Sequence, residues 1–318
     1  MKLLITGGAG FIGSHFTKMA VTGQLGLEIT EITVLDKLTY AGKLENFSPC
    51  EPGSDFQFIE GDISDSKIVA EVTKNKDWVV NFAAESHVDR SIESSQEFLK
   101  SNIVGVGVLL EECLKNNVTR FLQISTDEVY GTIQNGSWDE EFKLDPNSPY
   151  AASKASADLL VQSFHRTHKL NTVITRCSNN YGSHQDLEKL IPKAITMALA
   201  GKSIPIYGDG TNIREWINVS DHCRGIALAL LHGNSGEIYN IGSGVELSNL
   251  EIAKKILKNL GISTTQIEFV KDRKGHDYRY SVDYRKIQML GYEPRESFDV
   301  SLSETIKWFK QNYSNTQS

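Results

Sequence analysis

The chain has 318 residues, of which 40% are hydrophobic and 23% charged, a composition typical of a soluble globular protein of one large or two ordinary domains. Its formal net charge of −7 disfavours nucleic acid or an anionic membrane as the main partner. No apolar run reaches the roughly 18–20 residues of a membrane span, and the apolar start stops at Thr6-Gly7-Gly8, too early for a signal peptide.

The cysteines and histidines show no metal-binding spacing. Four cysteines lie far apart without a Cys-x-x-Cys pair, which favours reduced thiols and a cytoplasmic protein: Cys50, Cys113, Cys177 and Cys223. His165 and His168 lie three residues apart on a predicted helix, but no cysteine or carboxylate nearby completes a ligand set. We therefore expect a solvated helix face there and no metal site.

Short apolar runs alternate with stretches of helical periodicity in the first half of the chain. Strands are predicted at residues 2–6, 31–35, 56–60, 78–82, 120–125 and 172–176, and helices at residues 12–22, 66–74 and 96–116. This alternation predicts right-handed βαβ units and a doubly wound parallel sheet of the Rossmann type, with helices on both faces. Prolines and glycines after residue 180 predict shorter elements, so we assign residues 1–180 to the Rossmann domain, with later strands returning to it, and 181–318 to a smaller domain.

A glycine-rich run follows the first strand and opens the first helix: Gly7-Gly8-Ala9-Gly10-Phe11-Ile12-Gly13. In a dinucleotide site the first glycine allows the tight turn, the second lets the backbone approach a pyrophosphate, and the third lets the helix pack against the sheet. Asp36 ends the second strand, where a carboxylate would bind the adenosine ribose and repel a 2′-phosphate. The pattern therefore predicts NAD rather than NADP. Asp62, after the third strand, fits either the adenine edge or an Asx-turn.

Tyr150 and Lys154 lie four residues apart on a predicted helix, so the ammonium would lie one turn from the phenol. That cation, helped by the charge of a nicotinamide, would lower the phenol pKa and make Tyr150 a general base beside a hydride-transfer carbon. The helix start is marked by Pro149 and by the capping residues Asn147 and Ser148.

Thr126, Asp127 and Glu128 directly follow the fifth predicted strand. They would therefore lie at the carboxyl end of the sheet, where ligands bind in doubly wound folds. Two adjacent carboxyls in such a crevice can hold different protonation states, one acting as an acid and one as a base.

These motifs resemble the extended short-chain dehydrogenase/reductases that act on nucleotide sugars. Within them, four runs are similar to those of the dTDP-glucose 4,6-dehydratases: Asp36-Lys37-Leu38-Thr39-Tyr40-Ala41-Gly42, Ala84-Glu85-Ser86-His87-Val88-Asp89-Arg90-Ser91, Ser125-Thr126-Asp127-Glu128-Val129-Tyr130-Gly131 and Cys177-Ser178-Asn179-Asn180-Tyr181-Gly182. The resemblance extends from Lys2 to about Tyr292. Related epimerases and decarboxylases share the frame but generally lack the Asp-Glu pair, and GDP-mannose dehydratases carry a different residue before the glutamate and prefer NADP.

The resemblance implies an NAD-dependent dehydration. Tyr150 would take the proton of the sugar C4 hydroxyl, supported by Lys154 and Thr126, as hydride passes from C4 to NAD. Glu128 would remove the C5 proton, Asp127 would protonate the departing C6 hydroxyl, and the hydride would return to C6. The expected product is a 4-keto-6-deoxy sugar.

The glycine motif and the resemblance together assign the binding residues. Cofactor contacts are expected from Gly7, Gly10, Phe11, Ile12, Gly13, Asp36, Lys37, Leu38, Thr39, Asp62, Ile63, Phe82, Ala83, Ala84, Glu85, Ser86, Ser101, Tyr150, Lys154 and Asn180. Contacts to the nucleotide sugar are expected from Ser86, His87, Thr126, Asn179, Lys189, Leu190, Pro205, Ile206, Tyr207, Arg214, Asn249, Arg273 and His276. The smaller domain would thus be mainly the nucleotide-sugar domain, with its cations suited to a diphosphate.

Three points stay open from the sequence. The segment at residues 182–189 carries Ser183 and Leu187 where the family usually has prolines, which leaves the base and sugar, dTDP or UDP, undecided. A 4-epimerase or decarboxylase, or a non-catalytic NAD(H)-sensing regulator, remains an alternative, although the intact Tyr150/Lys154 and Asp127/Glu128 pairs disfavour a sensor. The helices around residues 96–115 and 150–168 commonly pair with a second subunit in this family, so a homodimer is expected.

Overall fold

The predicted fold class is confirmed in the computed structural model, which describes residues 1–47 and 55–312. Seven parallel strands form the main sheet in the order β10-β6-β5-β4-β1-β2-β3. These strands are β1 (Lys2–Thr6), β2 (Glu31–Asp36), β3 (Phe56–Glu60), β4 (Trp78–Asn81), β5 (Arg120–Thr126), β6 (Thr172–Cys177) and β10 (Ile238–Ile241). Cys50 lies outside the described residues.

Helices cover both faces of this sheet because each strand is apolar on both faces. Leu3 and Ile5 of β1 pack into one core, and Leu4 between them packs into the other. The helices are α1 (Phe11–Val21), α2 (Ser66–Thr73), α3 (Val88–Glu93), α4 (Gln96–Leu99), α5 (Val106–Lys115), α6 (Pro149–His168), α7 (Leu190–Leu199), α8 (Val219–His232), α9 (Asn249–Leu260), α10 (Arg285–Gln288) and α11 (Phe298–Gln311). Short 3-10 turns lie at Leu44–Phe47, Asp127–Tyr130 and Thr264–Gln266.

The predicted strands of the first half agree with the observed ones to within one residue at each end. The predicted helix at residues 96–116 is instead interrupted, because a π-helical segment, Lys100–Gly105, joins α4 to α5. Asn102 in this segment binds the backbone N–H and C=O of Glu85 and also the Ser153 hydroxyl, at 2.9, 3.0 and 2.8 Å. A π segment widens the helix locally and is frequent at functional sites.

The second half of the chain builds a core of its own and also contributes to one of the two cores of the main sheet. A three-stranded sheet, β11-β9-β7, and a two-stranded one, β12-β8, pack with α7, α9 and α11 around their own apolar cluster. Their bounds are β7 (Asn179–Tyr181), β8 (Ile204–Tyr207), β9 (Ile213–Asn218), β11 (Glu246–Ser248) and β12 (Ile267–Val270). The chain also returns to the main sheet through α8 and β10, whose apolar residues join the core beneath α1. None of the described helices is long and apolar enough to cross a membrane.

Candidate active site

A cleft runs along the carboxyl end of the main sheet, where β1, β4, β5 and β6 end. Its walls include the glycine turn at residues 7–13, the Tyr150/Lys154 pair, the Asp127/Glu128 pair and Lys189. Except for Leu38, all the predicted cofactor residues line it. Two groups of residues with different predicted roles therefore share one cavity, as expected at the carboxyl end of a doubly wound sheet.

The glycine turn leaves no room for side chains. A Cβ on Gly7, whose φ is +69°, would lie 2.4 Å from the Ala83 nitrogen, and a Cβ on Gly13 would lie 2.3 Å from the Gly7 oxygen. The N-cap of α1 is Gly10, whose position offers no side-chain cap to the first N–H groups of the helix. Uncapped N–H groups at a helix start suit a pyrophosphate, so the turn fits a dinucleotide.

Asp36 lies at the predicted ribose end of this cleft. Its carboxylate accepts hydrogen bonds from the backbone N–H groups of Leu38 and Ala9, both at 2.9 Å. Burial raises the pKa of Asp36, and these N–H donors oppose that shift. The residue also lines the cleft, where a ribose hydroxyl could approach it.

Asp62 forms the Asx-turn that the sequence analysis left as one alternative. Its Oδ1 accepts from the Ser64 backbone N–H and hydroxyl at 2.9 and 2.8 Å. Its Oδ2 pairs with Lys37 at 3.0 Å and with Lys100 at 3.3 Å. Burial raises the pKa of Asp62, but the bonds from Ser64 and Lys37 outweigh burial and hold it below its usual range. The residue also lines the cleft, so the turn and an adenine contact are compatible.

A buried ladder of side chains fixes the loops between β1, β4 and β5. The Thr6 hydroxyl donates to Asn81 Oδ1 at 2.6 Å, Asn81 donates to Gln123 at 2.8 Å, and Gln123 donates to the Ile124 carbonyl at 3.2 Å. The same Asn81 oxygen accepts from the Ala83 N–H at 3.1 Å. The loop that carries the predicted nicotinamide-side contacts is therefore held by the sheet itself.

Tyr150 and Lys154 lie in the first two turns of α6, which begins with a Ser148 cap and Pro149. Lys154 Nζ donates to the Ile124 carbonyl at 2.6 Å. Burial raises the pKa of Tyr150 well above its usual value, and Glu128 adds to this rise. This differs from the sequence interpretation, in which a cation lowers the phenol pKa, because burial is the largest influence on Tyr150 in the folded chain. Burial also lowers the pKa of Lys154.

Asp127 and Glu128 lie in unlike environments. Asp127 is 1% exposed, its Oδ2 has no hydrogen-bond partner among the described residues, and burial raises its pKa well above the usual range. Burial also raises the pKa of Glu128, but the cations Lys189, Arg214 and Arg273 oppose this shift. The arrangement favours a protonated Asp127 and a more readily ionised Glu128, which are the two forms an elimination needs.

Three cationic side chains predicted to bind the substrate also act on Glu128, because their positive charges lower its pKa. Lys189 Nζ donates to the Ser86 carbonyl at 2.8 Å, and Arg214 donates to the Asp277 carbonyl at 3.0 Å while lying over the Tyr280 ring. Arg273 pairs with Asp89 at 2.9 Å and lies over the Tyr207 ring. Residues far apart in the chain thus come together beside the carboxyl pair.

The remaining predicted substrate residues are spread around this end of the molecule. Asn179, Thr126 and Ser86 line the cleft, and the His87 ring lies 3.3 Å from Glu188. His276 pairs with Asp272 at 2.7 Å on the loop that carries Arg273. The others belong to secondary structure of the C-terminal half, with the Ile206 side chain buried in its core: Leu190, Pro205, Ile206 and Asn249.

Five polar residues that line the cleft were not predicted from the sequence: Ser125, Cys177, Ser178, Gln185 and Asp186. Ser125 and Cys177 lie at the carboxyl ends of β5 and β6. The strand-end position that pointed to Thr126 would have found them too. Gln185 donates to the Asn180 carbonyl at 2.8 Å from an irregular segment, for which the sequence carries no signal. Ser183, at a position usually held by proline, bonds His15 of α1 at 3.2 Å.

The sheet order, the glycine turn and the Tyr-Lys pair define a Rossmann enzyme of the extended short-chain dehydrogenase/reductase class. The sequence profile of the family described as GDP-mannose 4,6 dehydratase matches residues 4–305. The chain belongs to this family of nucleotide-sugar dehydratases.

Close relatives agree over the whole length of the chain. A dTDP-glucose 4,6-dehydratase of Actinoplanes sp. is 51% identical over 99% of both chains, and that of Streptomyces niveus is 50% identical over 98% of this chain and 94% of the relative. The crystal structure of DesIV, a dTDP-glucose 4,6-dehydratase from Streptomyces venezuelae with NAD bound, superposes with a TM-score of 0.98 at 49% identity, covering 99% of this chain and 98% of that one.

Proposed function

We propose that the protein is an NAD-dependent hydro-lyase that converts dTDP-glucose to the 4-keto-6-deoxy sugar nucleotide. The observation that carries this proposal is the pair of unlike carboxyls, Asp127 and Glu128, in the cleft that also holds Tyr150, Lys154 and the glycine turn. Relatives about 50% identical over the full chain that are named for this reaction support the substrate.

The glycine turn and the Asp36 carboxylate are among the cleft residues that would hold NAD. The turn at residues 7–13 would bind the pyrophosphate, and Asp36 would bind the ribose. NAD, when bound, accepts a hydride from the sugar and returns it, so the net reaction is a dehydration. Asn180 and the loop at residues 82–86 would keep the nicotinamide side in place.

Tyr150 would take the proton of the C4 hydroxyl through its phenol oxygen. Its raised pKa means that the free protein holds this proton firmly, so ionisation needs cationic charge close to the phenol. Lys154, seated on the Ile124 carbonyl, supplies one such charge from the chain itself. Thr126, which donates to Asp127 Oδ1 at 3.2 Å, links the phenol end of the site to the carboxyl pair.

The elimination divides between the two carboxyls. Asp127 would give its proton to the departing C6 hydroxyl, because its burial keeps the carboxyl neutral. Glu128 would remove the C5 proton, because the neighbouring cations favour its ionised form. The same cations, Lys189, Arg214 and Arg273, would hold the diphosphate of the substrate.

A panel of nucleotide hexoses tests this proposal. The purified protein should convert dTDP-glucose to a product lighter by one water, detected by mass spectrometry, faster than UDP-glucose or GDP-mannose. Tyr150→Phe should abolish the reaction, and Tyr239→Phe, which loses a phenol hydroxyl outside the cleft, serves as the matched control. Isomerised sugar without loss of water would identify a 4-epimerase instead, and no turnover of any sugar despite NAD binding would leave an NAD-sensing role.

The exposed apolar residues support a homodimer as a further part of the proposal. Leu99, Val104 and Leu159, on the helices around residues 96–105 and on α6, are 46%, 55% and 56% exposed. These are the helices expected to pair with a second subunit. Light scattering should give twice the mass of the 35.4 kDa chain, and Leu159→Glu should yield monomer.

The described cysteines are buried free thiols, as suits the proposed cytoplasmic location.

A further inference from the structure

Two charged side chains behind Lys154 have no place in the chemistry described so far. Asp158 follows Lys154 by one turn of α6 and is 0% exposed. Arg176 of β6 is also buried, and its Nε donates to Asp158 Oδ2 at 2.9 Å. Neither residue lines the cleft. Asp158 thus pairs with one buried cation, Arg176, and acts electrostatically on a second, Lys154.

The geometry of α6 directs Asp158 toward Lys154. Side chains on a helix lean toward its N-terminus, so the carboxylate lies over the turn that carries the lysine. Asp158 Oδ1 is buried without a hydrogen-bond partner in the described chain. Burial lowers the pKa of Lys154, and the negative charge of Asp158 opposes that shift.

Arg176 is fixed from several elements, and it fixes Asp158 in turn. Its NH1 donates to the Tyr130 hydroxyl at 2.9 Å, and the guanidinium lies 4.8 Å from the centre of the Tyr130 ring. The Tyr130 hydroxyl donates to Asn240 of β10 at 2.9 Å. Asp158 therefore cannot turn away from Lys154 without losing an ion pair anchored to the sheet.

We propose that Asp158 is a positioning residue for the Tyr150/Lys154 pair: its carboxylate acts on two buried cations and keeps the Lys154 ammonium seated on the Ile124 carbonyl, one turn from the phenol. The groups that face Lys154 are Asp158 on its own helix and Cys177 of β6, and those that face Tyr150 are Glu128, Asp127 and Cys177. The link to Tyr150 rests on the proposed function, whereas the charge arrangement around Lys154 does not.

Two variants with opposite expected effects test this role. Asp158→Asn removes the negative charge that acts on Lys154 while the Arg176 cation stays buried, so the pKa of the Lys154 amine should fall by about one unit or more. Arg176→Gln leaves Asp158 alone with Lys154 and keeps a donor for Tyr130, so the same pKa should rise. If Asp158 and Arg176 served only the stability of the fold, both variants would be less stable, but the pKa of Lys154 would not move in opposite directions.

The titration can be read without substrate or turnover. A lysine amine reacts with trace acetic anhydride only when it is neutral, so the acetylated fraction of the peptide holding Lys154, followed by mass spectrometry across pH, gives its midpoint. In dehydration assays the alkaline limb of kcat/KM should move with that midpoint, down for Asp158→Asn and up for Arg176→Gln.

Controls separate this role from a general loss of structure. Asp221→Asn removes another buried carboxylate that pairs with an arginine, Arg224, and should leave the Lys154 midpoint unchanged. If Asp158→Asn alone fails to fold, the double variant Asp158→Asn/Arg176→Gln removes both charges and should titrate below Arg176→Gln.

The proposal is overturned if the variants move the Lys154 midpoint by less than about 0.3 pH units, or in the same direction. A dehydratase assay without activity on any sugar, together with opposite shifts of the midpoint, would retain the proposal for Lys154 and overturn the proposed function alone.

Discussion

The cofactor side and the substrate side of the cleft are built in different ways. On the cofactor side, recognition depends on backbone shape, since a Cβ at Gly7 or Gly13 would approach backbone atoms to within 2.4 Å. On the substrate side, long cationic side chains already hold oxygens of the chain itself, as Lys189 does with Ser86 and Arg273 does with Asp89. We therefore expect substitutions in the glycine turn to have an all-or-none effect on NAD binding. Substitutions on the substrate side should have graded effects on binding of the nucleotide sugar.

The backbone turn should show the all-or-none behaviour expected of the cofactor side. Gly13→Ala places a methyl group 2.3 Å from the Gly7 oxygen, and overpacking of this kind costs about 1–3 kcal/mol or more, so NAD affinity should fall by on the order of 100-fold. Calorimetry with NAD measures it. Gly107→Ala in α5, where no atom of the described residues lies within 4 Å of the added Cβ, is the control and should leave NAD affinity unchanged. Equal affinity in Gly13→Ala would contradict the all-or-none expectation.

Asp127→Asn should separate oxidation from elimination. The amide keeps size and hydrogen bonding but cannot give a proton, so kcat for dehydration should fall by about 10²–10⁴-fold. Transient NADH absorbance should still appear on mixing with dTDP-glucose. Glu128→Gln should behave similarly, with slower exchange of the C5 hydrogen for deuterium. Wild-type rates in both variants would remove the carboxyls from the mechanism.

On the substrate side, Arg214→Ala should raise KM for the nucleotide sugar by about ten- to hundredfold, the value of a charge-assisted contact. NAD binding should hardly change, because Arg214 lies outside the cofactor cleft. Because the side chain also donates to the Asp277 carbonyl, Arg214→Lys should recover part of the affinity through charge alone. A KM unaffected by Arg214→Ala would show that the diphosphate lies elsewhere.

Asp36 is a cofactor contact that depends on charge and not on backbone shape, so the effect of replacing it should be graded. Asp36→Ala should narrow the preference for NAD over NADP by roughly tenfold, about 1.4 kcal/mol, because the repulsion of the 2′-phosphate is lost. Fluorescence titrations with both cofactors measure the ratio. If the wild type binds NADP as well as NAD, the assignment of Asp36 to the ribose is wrong.

The smallest effect is expected on the pH dependence of stability, at a contact between the cofactor side and the substrate side of the cleft. His15 of α1 bonds Ser183, and burial lowers its pKa to about 4. Because an unfolded histidine titrates near 6.5, the unfolded state takes up this proton first, so stability is full above about pH 6.5 and is lost as pH falls toward 4. His15→Gln should reduce the drop in Tm between neutral and acid pH by about 2–4 °C. An identical drop would assign the acid sensitivity to other groups.

The sequence predicted the elements whose signals are local. The buried parallel strands are continuous apolar runs, and α6 begins at Pro149 behind the Ser148 cap, as its residues indicate. The π segment at Lys100–Gly105 was not predicted, because it depends on Asn102 reaching Glu85 and Ser153 in other parts of the chain. Strand β7 was not predicted either, because its three residues carry no strand pattern and pair with β9, which begins at Ile213.

The candidate site divides in the same way. The four-residue spacing on a helix identified Tyr150 and Lys154 as candidate site residues. The position after a buried strand identified Asp127 and Glu128. The protonation of these groups could not be predicted, because the pKa of Tyr150 and that of Asp127 follow from burial, which only the folded chain defines. Asp158 and Arg176 could not be connected either, since an ion pair between a helix and a strand leaves no pattern in either segment.

The return of β10 to the main sheet has a consequence for synthesis of the protein. Thr172–Cys177 pairs in parallel with Ile238–Ile241, and the core under α1 also takes in Ile287 and Tyr292. At about 5–20 residues per second, the ribosome needs on the order of ten seconds to add these segments after β6 has emerged. Throughout that interval the nascent sheet has an unpaired edge and an uncovered apolar face, the features that chaperones bind and through which partly made chains aggregate.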